Sequence, residues 1–371
     1  MVLERIDILD FKNIREASLE FSPRVNCLLG KNGMGKSNLL EAVHMLSLAR
    51  GLSSMPESSL IRHGAEMFLL KGEFLTDAGG RDSVACGLVK GKPKSLKVNG
   101  KPYGRISEHV GRYPVVTVSP ADSRLVSESG EERRRLMDIV ISQANPAYLK
   151  QLIRYGRALD SRNRMLRAGL RDKLLYESVE SGMAEAAAGV HEARKEWVGQ
   201  MRPLVSRYYE LISGGHDAVA ISYRSSLNDS SLPELLESTR DKDHILGFTS
   251  RGVHRDDIEM QLDGYSLRRL GSQGQVKSFT LALRLAIFDY LSNARGATPL
   301  LLLDDIFDKL DSDRVARIMQ IVSSGSGFGQ IFITDTNRKH LDEILAGIAA
   351  PCSLLEVNEG CFMPLVQQSK P

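Results

Sequence analysis

The sequence predicts an α/β protein whose core sheet comes from the two ends of the chain, with an antiparallel β meander and a mostly helical inserted arm. Three observations carry this. An apolar strand at 25–30 runs into a glycine-rich loop and then an apolar helix. Strands and helices alternate again from 299 to 348. Between these ends, residues 131–214 are helical in period, with few glycines. Alternation at both ends implies a sheet covered by helices.

Taken in order, "LERIDILDF" and "ASLEF" read as short strands around "KNIRE", and "VNCLLG" as a fully apolar, central strand. The helix "SNLLEAVHMLSLA" is apolar on nearly every side and fits beneath a sheet. "FLLKGEFLT", "DSVACGLVKG" and "SLKVNGKPY" are strand-like pieces separated by turn residues, hence a meander. "YPVVTVSPAD" returns to a buried strand ending at Pro120. After the arm come the helix "VKSFTLALRLAIFDYL", the strand "PLLLLDD", a helix through "SDRVARIMQIVSS", the strand "GQIFITD" and a helix over "RKHLDEILAGI". The expected division is a sheet lobe of 1–120 plus 296–371 and an arm lobe of 121–295, the latter ending in the helix that "GSQGQ" precedes.

Composition bounds the function without naming it. The 371 residues suit two domains or one with a large insertion. A net charge of +3 indicates no partner, so any basic patch must be local. Cys27, Cys86, Cys352 and Cys361 are scattered among apolar neighbours with no CxxC pair, which reads as reduced, buried thiols in a cytosolic protein. The opening residues are unlike a signal peptide, and no uncharged run is long enough to span a membrane.

The chemistry lies in three motifs. GKNGMGKS, Gly30-Lys31-Asn32-Gly33-Met34-Gly35-Lys36-Ser37, matches G-x-x-x-x-G-K-[ST], with a strand before it and a helix after it. Its glycines let backbone N–H groups wrap phosphates at a helix N-terminus. Lys36 then reaches the β- and γ-phosphates and Ser37 ligates Mg²⁺. "PLLLLDDIFDKLD" is a buried strand with two acids at its end. Asp304 fits the metal position, and Asp305 the carboxylate that activates water. "GSQGQ", containing Ser272, Gly274 and Gln275, stands before a long apolar helix as a second anion-binding nest. A phosphate loop needs no such nest of its own. The two together suggest a composite site in which each molecule's Ser272 acts in trans on its twin's triphosphate.

The order GKNGMGKS, GSQGQ, LLLLDD, DKLD resembles the ABC-type ATPases of DNA maintenance, and most nearly the RecF family. The resemblance extends to "DFKNIREASLEF", "VVTVSPADSRLVSESGEERRRLMD", "YGRALDSRNRML" and "SRGVHRDDIEM". SMC proteins share the ATP motifs but separate them by far longer coiled coils. The resemblance implies an ABC-type P-loop ATPase head, ATP and Mg²⁺ as ligands, and an ATP-dependent homodimer. It further implies gapped or duplex DNA as target and RecR, with RecO and RecA, as partners. Position by position it implies ATP and metal roles for Lys36, Ser37 and Asp304, and catalysis by Asp305. It also implies a D-loop at Leu310-Asp311, and Lys12 as a basic residue that approaches the phosphates.

Two departures stand out. Asp335 or Thr336 occupies the place of the switch histidine of transporter ATPases, and the glutamine expected after "VVTVS" is missing, with Asp122 the nearest polar substitute and a further metal candidate. Both predict slow hydrolysis. In the arm, a helix over 152–175 would align Arg157, Arg164, Arg167 and Arg171 outward and bury Leu152, Leu159, Leu166 and Leu170. That basic stripe suits a duplex backbone better than unpaired bases, because no aromatics accompany it. Arg133 to Arg135 point in different directions, so some of them pair within the protein. Trp197 and His44 read as packed residues, and His254 as part of a polar turn between strands. Two other functions compete: an ATPase subunit coupled to a membrane transporter, and an ATP-binding clamp without useful turnover.

Overall fold

The computed structural model describes residues 1–52, 55–215, 217–307, 310–323, 327–346 and 351–365. The chain divides into two compact units, residues 1–122 with 287–371, and residues 123–286.

The first unit begins with β1 (Val2–Phe11), β2 (Ile14–Glu20) and β3 (Val25–Leu29), then α1 (Lys36–Leu48). β4 (Met67–Leu75), β5 (Arg81–Val89), β6 (Ser95–Val98) and β7 (Lys101–Pro102) are the expected meander, followed by β8 (Val115–Val118). The meander does not stand alone. β1 and β2 pair with it in one antiparallel sheet of order β2-β1-β4-β5-β6-β7. The two N-terminal strands therefore lie outside the parallel sheet. Their alternating burial gives the reason, since one face only is covered.

The second unit holds α2 (Arg124–Ser127), α3 (Gly130–Ala144), α4 (Pro146–Arg167) and the 41-residue α5 (Lys173–Ser213). Beyond these helices this mostly helical unit also carries a small sheet. β9 (Val219–Arg224), α6 (Leu232–Ser238), α7 (Arg240–Leu246), β10 (Asp257–Leu262) and β11 (Tyr265–Ser266) follow, the strands forming an antiparallel sheet of order β11-β10-β9. Of these strands, only the turn around His254 hinted at the sheet. α8 (Leu267–Leu270) leads to α9 (Gln273–Arg295), and the division between the units falls inside α9.

The chain then returns to the first unit with β12 (Leu300–Asp304), α10 (Ser312–Ser323), β13 (Ile331–Asp335) and α11 (Arg338–Ala346). The last residues of the helices expected at 312–324 and 338–348 lie outside the described residues. Two strands that the sequence reading missed complete the fold, β14 (Cys352–Asn358) and β15 (Cys361–Pro364). The second sheet runs β15-β14-β3-β13-β12-β8, parallel except for β15.

α1 explains the architecture of this unit. It touches β1, β4 and β5 of the antiparallel sheet and β8, β12 and β13 of the parallel one. A helix between two sheets is buried all round, as its apolar sequence requires, and even Glu41 and His44 are covered. His44 Nδ1 meets Thr117 Oγ1 at 3.1 Å. Cys27 and Cys86 are buried, and burial pushes the Cys86 thiol up to about 12. Cys361 on the edge strand β15 is exposed, which corrects the expectation of four buried thiols.

Candidate phosphate site and arm

β3 lies between β14 and β13, and the loop at its end turns directly into α1. Gly35, with φ 114°, takes the N-cap position of α1 and offers no side chain to it. The first amides of the helix therefore lack a capping group and suit an anion. The Lys36 side chain is only 3% exposed; its Nζ donates to the carbonyls of Gly30 at 2.6 Å and Lys31 at 3.2 Å. The Met34 N–H points toward the same Lys31 carbonyl, at 3.4 Å. Ammonium and amide thus converge on one interior point of the loop.

The acidic strand meets this loop. Ser37 Oγ donates to Asp304 Oδ1 at 2.8 Å, and Lys36 Nζ lies 4.0 Å from Asp305 Oδ1. Asp305 has φ 44°, left-handed backbone just past the end of β12. Thr334, on the strand between β3 and β12, sets both acids. Its hydroxyl donates to Asp304 Oδ1 at 2.8 Å and accepts from the Asp305 N–H at 3.0 Å. The sequence reading overlooked Thr334. Its signal is a polar residue after three apolar ones in a fully buried strand, "IFITD".

Other expected residues are placed as follows. Lys12 pairs with the buried carboxylate of Glu41 on α1. Asp122 is buried, and its Oδ2 accepts from the Ser119 N–H at 3.1 Å, closing the turn after β8. Asp335, at the place of the missing switch histidine, accepts from Asn337 N–H at 2.8 Å and meets His340 Nδ1 at 2.9 Å. A histidine is thus attached to that position from α11. Leu310 and Asp311 are described, and Asp311 caps α10 through the Arg314 N–H at 2.9 Å. Asp308 and Lys309 of the same motif lie outside the described residues.

In the second unit, Ser272 starts α9 with a capping box. Its Oγ accepts from Gln275 N–H at 3.2 Å, and Gln275 Oε1 accepts from Ser272 N–H at 3.0 Å. Gln273, Gly274 and Gln275 lie in the first turn of the helix, not before it. Gln275 also donates to Asp217 at 3.2 Å. Ser272 is exposed and keeps its hydroxyl proton to give away.

The basic stripe is shorter than expected. Arg157, Arg164 and Arg167 are exposed on α4, but the helix ends at Arg167. Gly169 adopts φ 66°, its N–H bonds to Leu166 O, and the Leu170 N–H bonds to Met165 O, a Schellman ending. Arg171 and Leu170 are therefore off the helical register, and Leu170 is 43% exposed instead of buried. Arg133 forms a two-pronged pair with Asp257, at 2.6 and 3.0 Å, and belongs to the interior.

A family model described as the RecF/RecN/SMC N terminal domain matches residues 2–350. The DNA replication and repair protein RecF of Porphyromonas gingivalis is 45% identical over 361 residues, 97% of this chain and 99% of its own. The chain belongs to the RecF family. RecF of Bacteroides fragilis is 41% identical over the full length of both chains. A solved structure of the recombination mediator protein RecF-ATP superposes with a TM-score of 0.88, at 27% identity and 98% coverage of each chain. The Smc head domain of Pyrococcus furiosus, at 18% identity and a TM-score of 0.57, shares the fold. The ABC-type ATPase fold expected from the motif order is the fold of this RecF-family chain.

The loop fits a nucleoside triphosphate: an uncapped helix start, a buried ammonium on the Gly30 and Lys31 carbonyls with Asp305 4.0 Å away, and glycine backbone around both. Ser37 Oγ and Asp304 Oδ1 are adjacent hard oxygens, the donor type Mg²⁺ prefers. Among the described residues no cluster of three or more His, Cys, Asp or Glu could hold a metal alone.

His254, in the stretch "SRGVHRDDIEM", is a packing residue. Nε2 faces the Thr249 carbonyl at 2.9 Å, so Nε2 carries the proton and Nδ1 accepts from the Tyr155 hydroxyl at 2.6 Å. Burial, the largest influence, lowers its pKa to about 4. The unfolded chain then binds this proton first as pH falls. Stability is complete above the ordinary histidine value and declines from there down to about 4, by roughly 3 kcal/mol from this residue. Urea unfolding at pH 7.5 and 5 should show about 2 kcal/mol of that loss, the rest coming only as pH approaches 4, and His254→Gln should flatten the difference.

Proposed function

We propose that this chain is an ATP-dependent DNA-binding repair protein, a slow ATPase that dimerises around two ATP molecules and binds gapped or duplex DNA in that closed form. The observation that carries it is the 2.8 Å contact between Ser37 Oγ and Asp304 Oδ1, which joins the phosphate loop to the acidic strand. Family membership and the ATP-bound neighbour support it.

In this reading Lys36 leaves the Gly30 and Lys31 carbonyls for the phosphate oxygens. Gly30, Lys31, Asn32, Gly33, Met34 and Gly35 supply the cradle. Ser37 and Asp304 hold Mg²⁺, which neutralises charge on the phosphates. Asp305, positioned through Thr334, orients the attacking water. Hydrolysis is slow because Asp305 is one methylene shorter than glutamate and the switch position carries Asp335. Asp122 and Lys12 remain secondary, each already engaged in the first unit.

Ser272, with the Gly274 amide and Gln275, completes the twin's site in trans. ATP favours the dimer because only the dimer offers two anion nests to each triphosphate. Arg157, Arg164 and Arg167 face the DNA backbone, with Arg171 beside them beyond the helix end. The neighbour's description as a recombination mediator in the RecFOR pathway supports RecR and RecO as partners, and the family resemblance adds RecA, in recombinase loading. Among the described residues no helix is long and apolar enough to cross a membrane, consistent with work in the cytoplasm.

Sedimentation tests the composite site. ATP, but neither ADP nor buffer alone, should convert monomer to dimer. Ser272→Arg should abolish that shift while ATP still binds the monomer. A chain that stays monomeric with ATP at every concentration would overturn the reading.

A further inference from the structure

The phosphate loop is gripped from outside by a turn that carries no nucleotide motif. β14 and β15 are joined by Glu359-Gly360, with Asn358 opposite Cys361. Both turn residues have positive φ, 49° and 78°, the signature of a tight type I′ hairpin. The Gly360 N–H donates to the Met34 carbonyl at 2.8 Å. A Cβ on Gly360 would come within 2.6 Å of the Asn13 carbonyl, in the turn between β1 and β2. Asn13 touches the loop in its turn. Its Nδ2 makes a long contact with Gly33 O, 3.4 Å, and its Oδ1 accepts from Asn38 Nδ2 on α1 at 2.7 Å. A Cβ on Gly35 would lie 2.9 Å from that same Oδ1.

Peptide planarity gives this grip a consequence. In a trans peptide the C=O of one residue and the N–H of the next point in opposite directions. Holding the Met34 carbonyl outward against Gly360 turns the Gly35 N–H inward. Holding the Gly33 carbonyl toward Asn13 turns the Met34 N–H inward as well, and that amide is seen pointing to the interior carbonyl of Lys31. Those two amides belong to the nest that must face the phosphates.

We propose that Gly360 and Asn13 are positioning residues for the nucleotide: the β14–β15 turn, wedged against the β1–β2 turn, aims the Gly35 and Met34 amides at the phosphates. The inference rests on the ATP reading of the loop. It assigns a task in the nucleotide site to a C-terminal hairpin and to an asparagine outside every ATPase motif.

The test is equilibrium binding of fluorescent ATP and ADP analogues, with steady-state turnover and thermal unfolding measured in parallel. Gly360→Ala, which must push the turn off Met34, and Asn13→Ala should each weaken both nucleotides about tenfold, the size of one net hydrogen bond. KM should rise accordingly while kcat changes less than twofold. Glu359→Asn, which favours the same turn, should bind as wild type does. Variants that melt earlier yet bind with unchanged affinity would reduce the brace to a structural contact and overturn the proposal. A measurement on the wild-type chain stands independently of variant folding: the Gly360 amide should be protected from hydrogen exchange without nucleotide, and exchange at open-turn rates would overturn the proposal. Wild-type chain that binds no ATP, with Lys36→Ala indistinguishable from it, would instead sink the ATP reading. Normal wild-type binding lost in Lys36→Ala, with both brace variants unaffected, would sink the brace alone.

Discussion

Lys36→Ala is expected to lower ATP affinity by a factor of about a hundred to a thousand, measured as equilibrium binding of a fluorescent ATP analogue. The ammonium is 3% exposed and meets the Gly30 and Lys31 carbonyls. In the bound state it exchanges those neutral acceptors for phosphate oxygens, and charge-assisted bonds are worth about 1.5–3 kcal/mol each. Two such bonds at the lower end of that range account for about 3–4 kcal/mol, hence the hundredfold or more. Lys36→Arg should restore little, because a planar fork cannot replace a compact ammonium in a loop this closed. Asp305→Asn gives the opposite pattern. Its carboxylate is 4.0 Å from Lys36 and its backbone is held by Thr334, so the loop keeps its shape without the charge. Binding and ATP-dependent dimers should persist while turnover falls by about two orders of magnitude or more, the usual worth of a positioned general base. A clamp without useful turnover would have no rate to lose in this variant.

How much of this was legible follows from where each signal sits. The phosphate loop and acidic strand are contiguous motifs, and the structure joins them at Ser37 and Asp304. α1 was legible as a helix beneath a sheet because its apolar residues encircle it, although that it lies between two sheets was not. What stayed hidden depends on contacts between distant segments. β14 enters the parallel sheet beside β3, yet "CSLLEVN" carries no strong strand pattern of its own. β9 and β10 pair across more than thirty residues that include two short helices. Thr334 looks like any strand residue until β13 is placed between the loop and the acids. The stripe through Arg171 failed for a local reason. Helical arithmetic was carried past Gly169, whose left-handed backbone ends the helix.

The second large effect lies far from the phosphates in sequence. Arg194, on α5, is 2% exposed and holds four groups together. Its Nη1 donates to Asp256 Oδ2 at 2.8 Å and to the Val253 carbonyl at 2.6 Å, its Nη2 to Asp138 at 2.8 Å, and its Nε to the Tyr148 hydroxyl at 3.1 Å. Tyr223 closes the cluster on Asp256. Burial pushes the Asp256 carboxyl up, and Arg194 is the main influence drawing it back. Three segments that ordinary ATPase motifs leave unexplained, around 138, 148 and 253–257, thus meet on one guanidinium. Arg194→Met fills much of the space but strands a fully buried carboxylate. Breaking a buried pair from one side costs about 3–5 kcal/mol, which corresponds to a midpoint lower by about 10 °C for a unit of this size. Trp197, the only tryptophan in the chain, is buried on the same helix, so its fluorescence reports this unit. Adding Asp256→Asn to Arg194→Met removes the stranded charge and should recover a substantial part of the loss, a non-additivity expected of groups in one network. If the double variant melted lower by the sum of the two single losses, the cluster would be a set of independent contacts and the motif would need another explanation.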